Sequence, residues 1–383
     1  MEFDFLKPID SDILEKIKKM SSQQLGSKIV FHTDKQFPDL NKINIAIIGV
    51  LENRGNATAT ADVDLLAIRE ELYSMYPGNW DASIADLGNI LAGNSADDTY
   101  FALRKIVSDL IKKKIIPIVI GGSQDLTFAL YRAYDDLEQM VNLVTIDSKF
   151  DFGKENEDVS AASYLTKIII DEPNNLFNYC NIGFQTYYNS QEEIDLVEKL
   201  FFDAYRLGEI SNNIALAEPV FRDADIVSLD LNSIKSSDSG NFVTFAPNGF
   251  NGKEICSLAR YAGISDKVSV FGIFNHNDSV QESVLVAQII WYFIEGFHYR
   301  SNEYPFGSRE NYIKYIVPLE DEVLVFYKSD KTDRWWIEIP FISNGSNKLK
   351  RNTLLPCSYD EYLGACNQEL PERWWKAQRK NSI

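Results

Sequence analysis

An apolar run, Leu143-Val144-Thr145-Ile146, ends in Asp147-Ser148-Lys149-Phe150-Asp151. Two carboxylates and an ammonium at one strand end could do chemistry. The two acids could hold a metal ion, and the lysine could supply positive charge that makes the metal unnecessary. Side chains alternate along an extended segment, so Asp147, Lys149 and Asp151 are expected on one side. In open α/β sheets, ligands bind beyond the carboxyl ends of the strands.

Two further strand ends carry unusual residues. Ile115-Ile116-Pro117-Ile118-Val119-Ile120 is followed by Gly121-Gly122-Ser123-Gln124-Asp125. Paired glycines at a strand-to-helix turn allow φ > 0 and a close backbone approach. The pattern is neither a Walker A nor a GxGxxG sequence, so phosphate binding is not indicated. Ala224-Asp225-Ile226-Val227-Ser228-Leu229-Asp230-Leu231-Asn232 is another strand with a polar end, and Asp230 and Asn232, two apart, share a face. A blander reading makes the three acids strand-end caps and Gln124 a helix-start hydrogen bonder. Ser123, Ser148 and Ser228 have no histidine nearby in sequence, which argues against a serine nucleophile.

The three histidines, His32, His276 and His298, are far apart and lack HxxxH spacing, so each reads as a surface or satisfied residue. His276 follows a strand end and is a candidate to line a pocket. The four cysteines, Cys180, Cys256, Cys357 and Cys366, form no CxxC pair and read as free thiols.

These residues need a scaffold, and the chain alternates strands and helices from about residue 43 to 298. Ile43 to Val50, Ile84 to Leu91, Ile115 to Ile120, Leu143 to Ile146, Asn178 to Phe184, Ala224 to Asn232 and Lys267 to Phe274 read as strands. Helical spacing follows Asp62, Asn94-Ser95, Gln191, Gly252 and Ser279. Lys112, Lys113 and Lys114 sit where a helix dipole favours cations. This alternation predicts a doubly wound parallel sheet with helices on both faces. Residues 1–42 form an N-terminal lead-in, 43–299 the α/β domain, and 300–383 an extension packed on it or on a second subunit. In the extension, Glu322 to Tyr327 and Trp335 to Ile339 are expected to pair as a hairpin. Trp335, Trp336, Trp374 and Trp375 are core residues on this reading, with an interaction surface as the alternative.

The formal charge of −18 argues against nucleic acid or an anionic membrane as partner. No apolar run approaches the ~18 residues of a membrane span. Met1 to Pro8 has neither the basic start nor the apolar centre of a secretion signal, so a cytoplasmic location is expected.

The order and spacing of the three motifs resemble the ureohydrolase family of arginase, agmatinase and formimidoylglutamase, which shows GGxH, DAHxD and SxDxD at parallel strand ends. The resemblance covers roughly residues 43–298, and the helix containing Trp291-Tyr292-Phe293 followed by Arg300 looks most like the formimidoylglutamase branch. It implies a three-layer α/β/α fold with a mostly parallel sheet of about eight strands, and a homo-oligomer.

In that family two manganese ions, held by two histidines and four aspartates, activate a bridging water. Residue by residue, Gln124 and Lys149 stand where the histidines belong, and Asn232 replaces one aspartate, while Asp147, Asp151 and Asp230 remain. The family's later glutamate falls near Ile273 or Phe274, both apolar. The resemblance therefore implies a chain without the dinuclear centre and without a cofactor, and it assigns no catalytic residue. Lys149 is expected to pair with Asp147 and Asp230 in place of the second metal. A protein partner or small ligand would occupy the former active cleft, lined by Gln124, Lys149, Asn232 and His276. The alternative is hydrolysis of linear amidine or amide C–N bonds, with one magnesium, calcium or manganese ion on Asp147, Asp151 and Asp230.

Overall fold

The computed structural model describes residues 3–57, 64–137, 139–154, 156–277, 279–303, 305, 310–339 and 354–382. Asp62, the expected start of the first helix, lies outside them, as do residues 340–353 of the C-terminal region.

In chain order the main strands are β1 (Leu6–Lys7), β2 (Val30–Phe31), β3 (Ile45–Leu51), β4 (Ile84–Leu91), β5 (Ile116–Gly121), β6 (Val141–Ile146), β7 (Leu176–Phe184), β8 (Asp203–Arg206), β9 (Ile226–Asp230) and β10 (Val270–Phe274). They form one ten-stranded sheet in the order β1-β4-β3-β5-β10-β9-β6-β7-β8, with β2 beside β4. Strand β1 runs antiparallel, whereas β3 to β10 all pair in parallel. The expected parallel sheet is therefore present. The short β8 was not anticipated, because Asp203-Ala204-Tyr205-Arg206 has no apolar run to mark it.

Both faces of the sheet are covered, which is why β3, β5 and β10 are apolar along their length. Ile45 and Ile47 face one buried cluster together with the helices Leu66–Ser74, Gly252–Ile264 and Val280–His298. Ala46, Ile48 and Val50 face the other, with the helices Ala96–Lys112, Leu126–Arg132 and Tyr164–Ile170. Helix starts follow the expected chemistry. Ser95 and Asp98, and Asn251 and Glu254, each form a reciprocal capping box.

The C-terminal region builds a second, antiparallel sheet from β11 (Tyr312–Pro318), β12 (Val323–Ser329), β13 (Trp335–Glu338) and β14 (Leu354–Cys357). The expected hairpin is β12 paired with β13, Lys328 opposite Trp335. This sheet shares an apolar cluster with the helices Tyr359–Cys366 and Glu372–Ser382, including Trp335 and Trp374. Trp336 and Trp374 are fully buried, so these two rings are core. Arg222 connects the two sheets. Its guanidinium donates to the carbonyls of Trp335 and Cys357, each at 2.9 Å, and lies 4.6 Å from the Trp336 ring centroid.

Candidate functional site

The sheet order makes neighbours of β5, β10, β9 and β6. The three motifs, separated widely in sequence, therefore leave the same edge of the sheet side by side. Beyond that edge lies a cavity of about 440 Å³, with Gln124, Lys149, Asp151, Asp230, Asn232 and Asn275 among its lining residues.

Three carboxyls converge at its floor, Asp151 and Asp230 facing the cavity and Asp147 behind them. Asp147, Asp151 and Asp230 are 1%, 8% and 7% exposed. Gln124 Nε2 donates to Asp147 Oδ2 at 2.7 Å and to the Tyr164 hydroxyl oxygen at 3.2 Å. Asp147 Oδ1 accepts from the Lys149 backbone N–H at 2.9 Å. Asp230 Oδ1 accepts from the Asn232 N–H and the Asn275 Nδ2, each at 2.9 Å.

Burial pushes Asp151 up to about 7, and the Asp230 charge adds to the effect. Burial, then the Asp147 charge, pushes Asp230 up to about 8. Asp147 is raised well above the carboxylate range by burial and then by the Asp151 charge. Burial and mutual repulsion thus act on all three carboxyls in the same direction, favouring their protonated forms.

The geometry corrects one expectation about Lys149. The segment after Ile146 is not extended, since Asp147 closes a turn onto the Lys149 N–H and Asp151 has φ = 56°. Asp147 and Asp151 meet, while the lysine is turned out and exposed. Its ammonium lies 5.7 Å from the Tyr188 ring centroid, and among the described residues it makes no ion pair with Asp147 or Asp230. It remains near enough to favour ionisation of Asp151 and Asp230.

Asn232 Oδ1 accepts from Thr244 Oγ1 at 2.8 Å and Asn241 Nδ2 at 3.2 Å, which fixes the following segment over the cavity. That segment places Phe245 at the rim, 63% exposed. His276 does not line the cavity. Asn275 adopts φ = 62°, and the imidazole behind it is buried against the start of the next helix. There, His276 Nε2 lies 3.2 Å from Ser283 Oγ and 3.8 Å from Glu282 Oε2. Asn275 takes the expected place of His276, its Oδ1 buried with no hydrogen-bond partner among the described residues. The signal was one residue earlier in the chain: asparagine tolerates the left-handed conformation that a strand-ending turn demands. Tyr164 and Tyr188 were also missed: Tyr164 opens a helix of only seven residues, and Tyr188 lies in a short 3-10 turn, both too short to carry a periodic pattern.

Neither of the paired glycines has a positive φ, and Gly121 works by close approach. A Cβ on Gly121 would sit 2.7 Å from Leu126 Cδ1 and 2.8 Å from Phe274 Cδ1. Ile273 and Phe274 are fully buried and offer the cavity no charge. Among the described residues, no three Asp, Glu, His or Cys side chains are disposed as a metal site.

Fold and site together define a three-layer α/β protein with a polar cleft at the carboxyl edge of its sheet. The arginase family model matches residues 43–294, and the chain belongs to that family. It is 27% identical to the formimidoylglutamase of Lysinibacillus sphaericus (strain C3-41) over 157 residues, 40% of this chain and 48% of that protein. It is 23% identical to the formimidoylglutamase of Geobacillus sp. (strain WCH70) over 209 residues, 52% of this chain and 64% of that one. The chain thus spans about half the length of the first relative and somewhat under two thirds of the second. The solved structure of Trypanosoma cruzi formiminoglutamase with Mn2+2 superposes with a TM-score of 0.64 at 18% identity, covering 72% of this chain and 99% of that one. Formimidoylglutamase from Bacillus subtilis gives 0.61 at 15% identity, covering 77% and 100%. At these identities the structures support the fold alone.

Proposed function

We propose that this arginase-family chain has lost two-metal hydrolysis and uses the cleft at its sheet edge to bind a small ligand or a protein segment. The observation that carries this reading is the Gln124–Asp147 hydrogen bond of 2.7 Å. It aims an N–H donor at the carboxylate where a histidine nitrogen and a cation would otherwise meet, and an N–H cannot ligate a cation. Lys149 adds a positive charge at the mouth, and an ammonium repels a divalent ion. With Gln124, Lys149 and Asn232 in place of two histidines and an aspartate, three of the family's six ligands remain, too few for a pair of manganese ions. No chemical step is assigned to these residues. Elemental analysis of the purified protein is expected to find no stoichiometric manganese, and two ions per chain would overturn the reading.

A second reading has its own support. Asp147, Asp151 and Asp230 still converge, and hard oxygen ligands suit one magnesium, calcium or manganese ion. Together with the likeness to formimidoylglutamases, this favours hydrolysis of a linear amidine or amide C–N bond. Arginine, agmatine, guanidinobutyrate and formiminoglutamate, assayed with added manganese, separate the two readings. Turnover that collapses in Asp147→Ala establishes the second, and its absence leaves the first.

A further inference from the structure

A second cavity shares a wall with the cleft. Thr244, Phe245 and Ala246 line the cleft, and the next three residues, Pro247, Asn248 and Gly249, line a separate hollow of about 390 Å³. Tyr188 belongs to the cleft and Tyr187 to the second hollow. The wall is braced from within. Gln185 Nε2 donates to the Asn248 carbonyl at 3.2 Å, and Asn248 Nδ2 donates to Gln185 Oε1 and to the Tyr187 hydroxyl oxygen, each at 3.1 Å.

The charged groups of this hollow are Arg206, Lys235 and Glu254. In a chain of net charge −18, a local excess of cations is notable. Glu254 is occupied at a helix start, where its Oε2 accepts from the Asn251 N–H at 2.8 Å. Lys235 lies 3.4 Å from Asp238 with a third of its side chain exposed. Arg206 ends β8 and begins the helix Leu207–Asn212, yet its side chain takes no part in capping. Among the described residues no carboxylate pairs with it. A guanidinium fork with no carboxylate partner, in a hollow that a lysine also lines, suits a planar or tetrahedral oxyanion. The Thr186 and Ser211 side chains stand at the same hollow.

We propose that this hollow binds a small dianion, either a phosphoryl group or a dicarboxylate, and that its occupancy reaches the cleft through the shared 244–249 wall. The proposal does not depend on whether the cleft is catalytic.

The test titrates full-length protein with inorganic phosphate and, separately, with succinate, followed by calorimetry. At least one is expected to bind saturably, and which one does so identifies the source of the anion. Arg206→Met and Lys235→Met should each weaken that binding fivefold or more, and Glu254→Gln, which keeps the capping acceptor, should tighten it. Hydrogen exchange in residues 241–249 should slow in the bound state. No saturable binding of either anion overturns the proposal. So does binding that Lys149→Met abolishes and Arg206→Met leaves intact.

Discussion

Gln124 donates to Asp147 across 2.7 Å, and this one bond joins the end of β5 to the end of β6. Both partners are out of water, at 1% exposure each. A leucine at position 124 would leave Asp147 without that donor. Gln124→Leu is expected to destabilise the protein by about 1–3 kcal/mol, the usual cost of an unsatisfied buried polar group. Denaturant unfolding measures it, and an unchanged midpoint would show that the bond is not formed in solution.

Restoring the missing ligands tests the metal reading from the other side. In Gln124→His, Lys149→His and Asn232→Asp combined, manganese should raise the melting temperature, because a ligand that binds only the folded state stabilises it in proportion to RT ln(1 + [L]/Kd). The unaltered protein should show no such manganese-dependent shift. Equal shifts in both would place a competent site in the chain as it stands.

The Asp230 carboxyl makes stability depend on pH. Its folded value is raised to about 8, against about 4 for an unfolded aspartate. Between those values the folded state holds a proton that the unfolded chain has lost. The associated stability is therefore full below about pH 4 and lost as pH rises through 8. Asp230→Asn abolishes that loss. The variant should gain on the parent progressively from pH 4 to 8, by a few kcal/mol in all, in the absence of divalent cations. Parallel curves of stability against pH would refute the assignment.

Lys149 should matter for binding and little for stability. Its ammonium is at the mouth over Tyr188 and makes no ion pair among the described residues. Lys149→Met is expected to shift folding stability by no more than about 0.5 kcal/mol. A large loss would mean that the lysine turns inward onto the acids after all.

Arg222 holds the C-terminal sheet by two carbonyls and the face of Trp336. Arg222→Ala should cost on the order of 3 kcal/mol, since it strands two acceptors and empties the space beside a buried indole. Tryptophan fluorescence should report the change, given that Trp336 is fully buried.

The sequence carried the sheet because its strands are covered on both faces: Ile45 to Val50 and Ile116 to Ile120 are apolar at every position, with little else they could form. It also carried the three polar strand ends, whose residues come together at one cavity. Side-chain direction was not legible. Alternation places Lys149 with its neighbouring acids, but an Asp147 turn and a left-handed Asp151 override the strand period within two residues of its end. The same cause exchanged His276 for Asn275. Once a chain leaves its ladder, local hydrogen bonds decide where side chains point.

The grip of Arg222 has a bearing on how this molecule can be cut. That arginine belongs to the helix Ala217–Asp223, which leads through Asp225 into β9 and so to Asp230. The Asp225 carboxylate receives the Asn142 N–H at 2.8 Å, which ties the foot of β9 to that of β6. Trimming the chain near residue 300 to isolate the α/β domain would take both carbonyl acceptors and the Trp336 ring from this guanidinium, leaving it, among the described residues, Glu218 alone, on the helix that leads into β9. A shortened version should therefore be judged first by whether its cleft survives, before any loss of binding is blamed on a missing partner surface.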